Sequence, residues 1–251
     1  VAEPRLVALE EKPPVAASAA GFEGLAGRWP VPPAVFGWAE EATVEVVLAN
    51  GRLVWTVPGW GTFALDPQPD GTLLEEDSQE RYYPVRDAAR AFAGIATAAQ
   101  IADGAVAAAE RSERERAEEL LALLPAAEAE RVSLARALFR VFAGEFEAAA
   151  EATRKLANGP AAGRVESSVN ALGYAFLRAG KPESGLALFE LNTLVFPRSS
   201  NAWDSLAEAH MTLGHAAEAR EFYQASLELD ASNANARAKL AQLGEAAASA
   251  K

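Results

Sequence analysis

Between residues 43 and 57 (TVEVVLANGRLVWTV), apolar side chains recur at every second position on either side of Asn50-Gly51. Alternation of this kind predicts strands with one apolar face. Asn-Gly is the favoured pair for a two-residue type I′ turn, because both positions need positive φ. With that pair at the tip, Leu48 stands opposite Leu53, Val46 opposite Trp55 and Val44 opposite Val57. All six are apolar and share one face, so turn chemistry and side-chain parity agree on a hairpin. Gly59, Gly61, Pro67, Pro69 and Gly71 then punctuate short strands predicted at 62–65 and 72–74, with another at 81–85 (RYYPV).

The stretch 88–110 carries two conflicting signals. Its alanines favour a helix, but Gly94 and Gly104 interrupt it and Phe92, Ile95 and Thr97 suit strands. The expectation is two weak strands that close the sheet, giving an antiparallel β domain over 22–110. Ahead of it, residues 1–21 hold Pro4, Pro13 and Pro14 among Ala and Ser and read as a tether. From Ser112 the period becomes helical, and Glu119, Leu120, Leu121, Leu123 and Leu124 close a helix before Pro125.

Downstream the helical pattern repeats itself. The segment from Ser168 (SVNALGYAFLRAGKPESGLALFELN) aligns with that from Ala202 (AWDSLAEAHMTLGHAAEAREFYQAS) at a shift of 34. Val169 then meets Trp203, Leu172 meets Leu206, Gly173 meets Ala207, Gly180 meets Gly214, Gly185 meets Ala219 and Phe189 meets Tyr223. Small residues at 173/207 and 185/219 predict a close crossing of two helices, and the glycines at 180 and 214 predict the turn between them. Phe189 and Tyr223 are expected between one hairpin and the next. Ser200 and Ser232 are candidate N-caps, Pro182 suits a first helical turn and Pro197 ends a hairpin. A further shift aligns Leu240 and Ala241 with Leu206 and Ala207, while Arg237 replaces the expected large residue. The predicted order is a degenerate repeat at about 130–163 (Ala137, Gly144, Ala149), clear repeats at 166–199 and 200–233, and a capping helix at 234–247.

The period and these residues resemble the tetratricopeptide repeat family. NALGYAFLRAG, FELNTLVFPRSSNAWDSLAEAHMTLG and YQASLELDASNANA also resemble the C-terminal repeats attached to bacterial beta-lactamase-related serine hydrolases. In that family a small β segment often precedes the repeats, and 22–110 is more loosely similar to it. The resemblance implies an α+β chain, a small antiparallel sheet domain followed by an all-α helical-hairpin domain over 111–251, acting as an accessory to a hydrolase. It does not carry the activity over. Neither a Ser-x-x-Lys motif nor a Gly-x-Ser-x-Gly elbow occurs, so the paired nucleophile and base are missing.

Composition narrows the partner class. The formal net charge is −12, which disfavours nucleic acid and anionic membrane surfaces. No apolar run is long enough to span a bilayer. The absence of cysteine removes disulfides, thiolate zinc sites and thiol nucleophiles. A chain beginning at Val1 is expected to be processed or trimmed, which favours a periplasmic or secreted location over the cytoplasm.

Candidate chemistry is sparse. His210 is expected in core packing on the first helix of a repeat, and His215 is expected to start the second helix, exposed; a spacing of five sets them on different faces, which argues against a two-histidine metal site. Asp204 and Glu208 share a helix face, as do Asn170, Tyr174 and Arg178 one repeat earlier. With Asn201 and Met211 these form the expected docking surface, suited to a basic or amide-rich protein or peptide segment. The expectation is a non-enzymatic protein-interaction module with no catalytic residues, cofactor or metal. One rival is a structural domain of a secreted hydrolase, for which a homodimer is the expected sign. Another is a small-ligand binder using Trp29, Trp38, Trp55 and Trp60, which otherwise form the core of the small sheet.

Overall fold

The computed structural model describes residues 22, 26–31, 42–49, 52–57, 61–68, 70–75, 78–86, 92–160 and 162–249. The proline-rich tether and the Asn50-Gly51 tip lie outside the described residues, as do Trp38 and Trp60. The chain divides into two compact units, Val1–Ala98 and Ala99–Lys251.

The first unit is a seven-stranded antiparallel sheet in chain order: β1 (Gly27–Val31), β2 (Ala42–Ala49), β3 (Arg52–Val57), β4 (Gly61–Pro67), β5 (Leu73–Glu75), β6 (Arg81–Arg86) and β7 (Phe92–Thr97). Val46 pairs with Trp55 and Leu48 with Leu53, the register that the turn required. Leu53, Leu65 and Leu73 are fully buried, and Val46 and Trp55 nearly so, whereas Leu48 stays largely exposed. The Trp55 ring lies 6.1 Å from Phe63 and 5.5 Å from Tyr82. In a flat sheet, strands three places apart stand about 14 Å from each other. The Trp55–Tyr82 contact therefore requires a tightly coiled sheet that wraps its apolar face inward. Ionic side chains fasten the strands: Arg52 grips Asp66 at 2.5 and 3.0 Å, and Arg81 reaches Asp70 at 3.0 Å. The strand β1 has no counterpart in the sequence pattern. It lies at the sheet edge, where Pro30 is tolerated because edge positions need not donate to a ladder.

The stretch 88–110 departs from expectation. Its first part is β7, but Ala98–Glu110 is a helix, α1, and not a second strand. Ala98, Ile101, Ala102, Ala105 and Val106 are all buried. They follow the i, i+3, i+4, i+7, i+8 spacing of one helical face, so packing settles what the glycines left open. The break between the units accordingly falls at Ala98, ahead of the expected 110.

The second unit continues with α2 (Arg114–Leu121), a 3-10 turn (Ala126–Glu128), α3 (Ala129–Phe142), α4 (Phe146–Ala157), α5 (Ala162–Arg178), α6 (Pro182–Val195), α7 (Ser200–Thr212), α8 (Ala216–Leu229) and α9 (Ala234–Ser249). Three hairpins, α3/α4, α5/α6 and α7/α8, turn at Gly144, Gly180 and Gly214, whose φ values are 78°, 72° and 81°. At each, the glycine N–H donates to the carbonyl three residues back and the next N–H to the one five back, as in Lys181 to Phe176 at 3.0 Å. This double closure satisfies carbonyls left open at a helix end and needs a left-handed residue. A Cβ on Gly173 would sit 2.6 Å from the buried Phe189 ring, and one on Gly185 would sit 2.9 Å from the Gly173 carbonyl. The two helices therefore touch where the small residues were read. Phe189 and Tyr223 are fully buried.

The caps shift by one residue from Ser200 and Ser232. Ser199, extended at φ −89° and ψ 114°, accepts from the Ala202 N–H, and Asn233 accepts from the Ala236 N–H at 3.1 Å. A cap must lie outside the helix to reach back to its third residue, and Ser200 is already inside.

Candidate functional site

Each repeat carries a buried polar residue in its second helix. Asn192 donates to the Glu166 carbonyl at 3.4 Å, and Ser226, its counterpart 34 residues on, donates to the Ser200 carbonyl at 2.8 Å. Both capping residues join these networks: Ser199 donates to Glu166 at 2.5 Å, and Asn233 donates to Ser226 at 2.9 Å. Repetition of the same wiring marks it as part of the scaffold.

Several expected docking residues belong to that wiring. The Tyr174 hydroxyl meets Ser205 at 3.2 Å and Glu208 at 2.9 Å, and its ring stands edge-on to Phe189 at 5.0 Å. Burial pushes the Tyr174 phenol up to about 12; its bond to Ser205 acts in the opposite sense, and the Glu208 charge adds to the rise. Asp204 accepts from Asn233 at 3.0 Å and from Asn235 at 2.8 Å, which ties α7 to the start of α9. Met211 approaches the Tyr223 hydroxyl at 3.9 Å. The buried Asn170 Oδ1 has no partner among the described residues. Arg178 and Asn201 are exposed on the surface. The structure thus joins Tyr174 to Glu208 and leaves Arg178 and Asn201 facing solvent.

A cleft of about 390 Å3 opens elsewhere in the same unit, between α1, α3 and α5. Val106, Leu134, Leu138 and Leu172 give it apolar walls, and Asp103, Glu128, Glu130, Arg131 and Arg164 bring charge. Arg131 is held by Glu128 at 2.9 Å and Arg164 by Glu130 at 3.5 Å. Asp103 has no hydrogen-bond partner among the described residues. The protein around it pushes its carboxyl up to about 6, with Arg131 acting in the opposite sense. Water reaches the side chain. Sequence spacing had no means of finding this cleft, because its lining comes from helices some 30 residues apart. The one available signal was Asp103, a lone carboxylate on an apolar, alanine-rich helix.

The histidines lie where the helix order put them, but their side chains meet, which their spacing had argued against. His210 closes α7, while His215 is the N-cap of α8, beyond the Gly214 turn. The chain reversal between them brings the two Nδ1 atoms to 3.3 Å, so a spacing of five does not hold the side chains apart.

Residues 200–243, which span α7, α8 and most of α9, match the family model described as Tetratricopeptide repeat. No curated protein gives a significant match. Solved structures similar to this chain include MamA of MSR-1, 19% identical over 59% of this chain and 86% of its own, with a TM-score of 0.33. MamA of AMB-1 gives 19%, 59%, 81% and 0.33 in the same order, and Pseudomonas aeruginosa PilF gives 18%, 57%, 68% and 0.31. No enzyme family is indicated by the family match.

Proposed function

We propose that the helical unit is a non-catalytic protein-interaction module whose partner docks on the first helices of the successive hairpins. The supporting observation is the cleft between α1, α3 and α5, which pairs apolar walls with Asp103, a cleft carboxylate that no arginine grips among the described residues. That composition suits a partner segment with an apolar anchor beside a Lys or Arg, because a desolvated charge pair and a filled apolar pocket act together at such contacts. Ala171 lines the cleft, and Tyr174 and Arg178 follow at three and seven residues along the same side of α5. The surface therefore extends from the cleft towards Arg178 and Asn201, with Tyr174, Asp204, Glu208 and Met211 holding its shape.

The test is capture of a partner on the immobilised chain, followed by calorimetry of the purified pair. Ala171→Arg places a bulky cation at an exposed position in the cleft and is expected to weaken binding by about tenfold or more. Its melting temperature should stay unchanged. A pair indifferent to Ala171→Arg and to Asp103→Asn would overturn the cleft as the docking surface. The runner-up, an accessory domain of a secreted hydrolase, rests on the sequence resemblance and expects a partner enzyme whose stability rises on binding.

A further inference from the structure

We propose that His210 and His215 form a two-imidazole chelate for a first-row divalent transition-metal ion, Cu2+, Ni2+ or Zn2+, at the turn between α7 and α8. The backbone fixes the pair. Gly214 is left-handed, and the His215 N–H donates to the His210 carbonyl at 2.9 Å. The same closure occurs in the hairpin α3/α4, where Glu145 N–H donates to the Arg140 carbonyl at 2.8 Å. There the two side chains also meet, Arg140 to Glu145 at 3.7 Å. The turn thus places these two positions side by side; in the hairpin α5/α6 Lys181 instead reaches Glu110 at 2.6 Å, and in the last repeat both side chains are imidazoles that meet.

Their separation suits a metal. Zinc binds histidine nitrogen at about 2.0–2.1 Å. Two nitrogens 3.3 Å apart then subtend about 104–111° at a shared ion, close to the tetrahedral angle. The rings are tilted by 52° with centroids 5.5 Å apart, so they are not stacked face to face. His210 also packs on Phe222 at 5.1 Å, and Phe222 rests on Trp203 at 5.7 Å. A ring held in this way loses little freedom on binding an ion. Burial, then the neighbouring His215, lowers the His210 pKa, while Glu218 raises it. The net direction favours the neutral imidazole that a metal requires. No group of three or more His, Cys, Asp or Glu side chains able to hold a metal occurs among the described residues. The remaining positions on the ion therefore belong to water, and the site is an open one. Affinity should be greatest for Cu2+, as the general order for nitrogen sites requires.

The rival arrangement is a single N–H···N hydrogen bond between two tautomers, which uses the same two atoms and excludes chelation through them. The untagged, metal-stripped full chain would be titrated with CuCl2 and with ZnCl2 by calorimetry. Zn2+ titration would also be followed through the imidazole carbon-bound proton resonances. One ion per chain, with both imidazoles shifting together, is expected. His210→Ala and His215→Ala should each weaken binding by about tenfold or more, because either leaves a single ligand. Circular dichroism would confirm that both variants stay folded. Binding that survives His215→Ala unchanged, or the absence of binding in the wild-type chain, would overturn the proposal.

Discussion

At the scale of single residues, the tightest constraint is the meeting of Gly173 with Phe189. A Cβ there would overlap a ring that is fully buried. Gly173→Ala gains helix propensity but overpacks the crossing, and the net loss is expected to be ~1–2 kcal/mol. Gly173→Leu should cost more, and urea midpoints with unchanged slopes would check both. The equivalent position of the next repeat already holds Ala207, fully buried. The two repeats thus solve the same crossing with different side chains. The small character of these positions was legible in the sequence, because a period of 34 repeated it. Why position 173 excludes the methyl group that Ala207 carries was not, because that depends on where the Phe189 ring lies.

At the scale of elements, what joins one helical hairpin to the next is polar as well as apolar. Asp204 accepts two amide donors, from Asn233 and Asn235, at the start of α9. Asp204→Ala leaves those donors without their acceptor and is expected to cost ~1–2 kcal/mol. Amide hydrogen exchange should accelerate in α9 while α5 keeps its protection, and uniform acceleration through both helices would refute the assignment. The sequence showed Asp204 and Glu208 on one helix face and so suggested a surface for a partner. It did not show that Asn233, Asn235 and Tyr174 reach them first. Identity and spacing within one helix are properties of the chain, whereas a bond between residues about 30 apart depends on how the hairpins stack.

At the scale of the whole molecule, the cleft carboxylate sets a dependence of stability on pH. Asp103 has its folded-state pKa raised from 3.8 to about 6. Between those values the folded chain binds more protons than the unfolded one, so this group's contribution falls as pH rises through that window. Asp103→Asn removes the loss. It should stabilise the chain by on the order of 1 kcal/mol at pH 7, the full shift being discounted for water at the cleft mouth. The gain should vanish below about pH 4. Thermal melts of both proteins from pH 3.5 to 7.5 would check this, and a gain independent of pH would contradict it. Asp103→Asn separates stability from recognition, since the same substitution is expected to weaken the partner.

The sequence by itself determined the units that depend on local spacing. These are the β2–β3 register set by Asn50-Gly51 and the helical hairpins closed by Gly180 and Gly214. Each follows from backbone conformational limits and from a period of two or of 3.6 residues, both written along the chain. Tertiary packing decided the rest. It made Ala98–Glu110 a helix, because five small apolar side chains had a surface to bury against, and it assembled the cleft from α1, α3 and α5. It tied Tyr174 to Glu208 and Asp204 to Asn233, and it brought His210 to His215 across a chain reversal. Those outcomes depend on distances between segments far apart in sequence, or on the far side of a turn, and only the folded chain sets them.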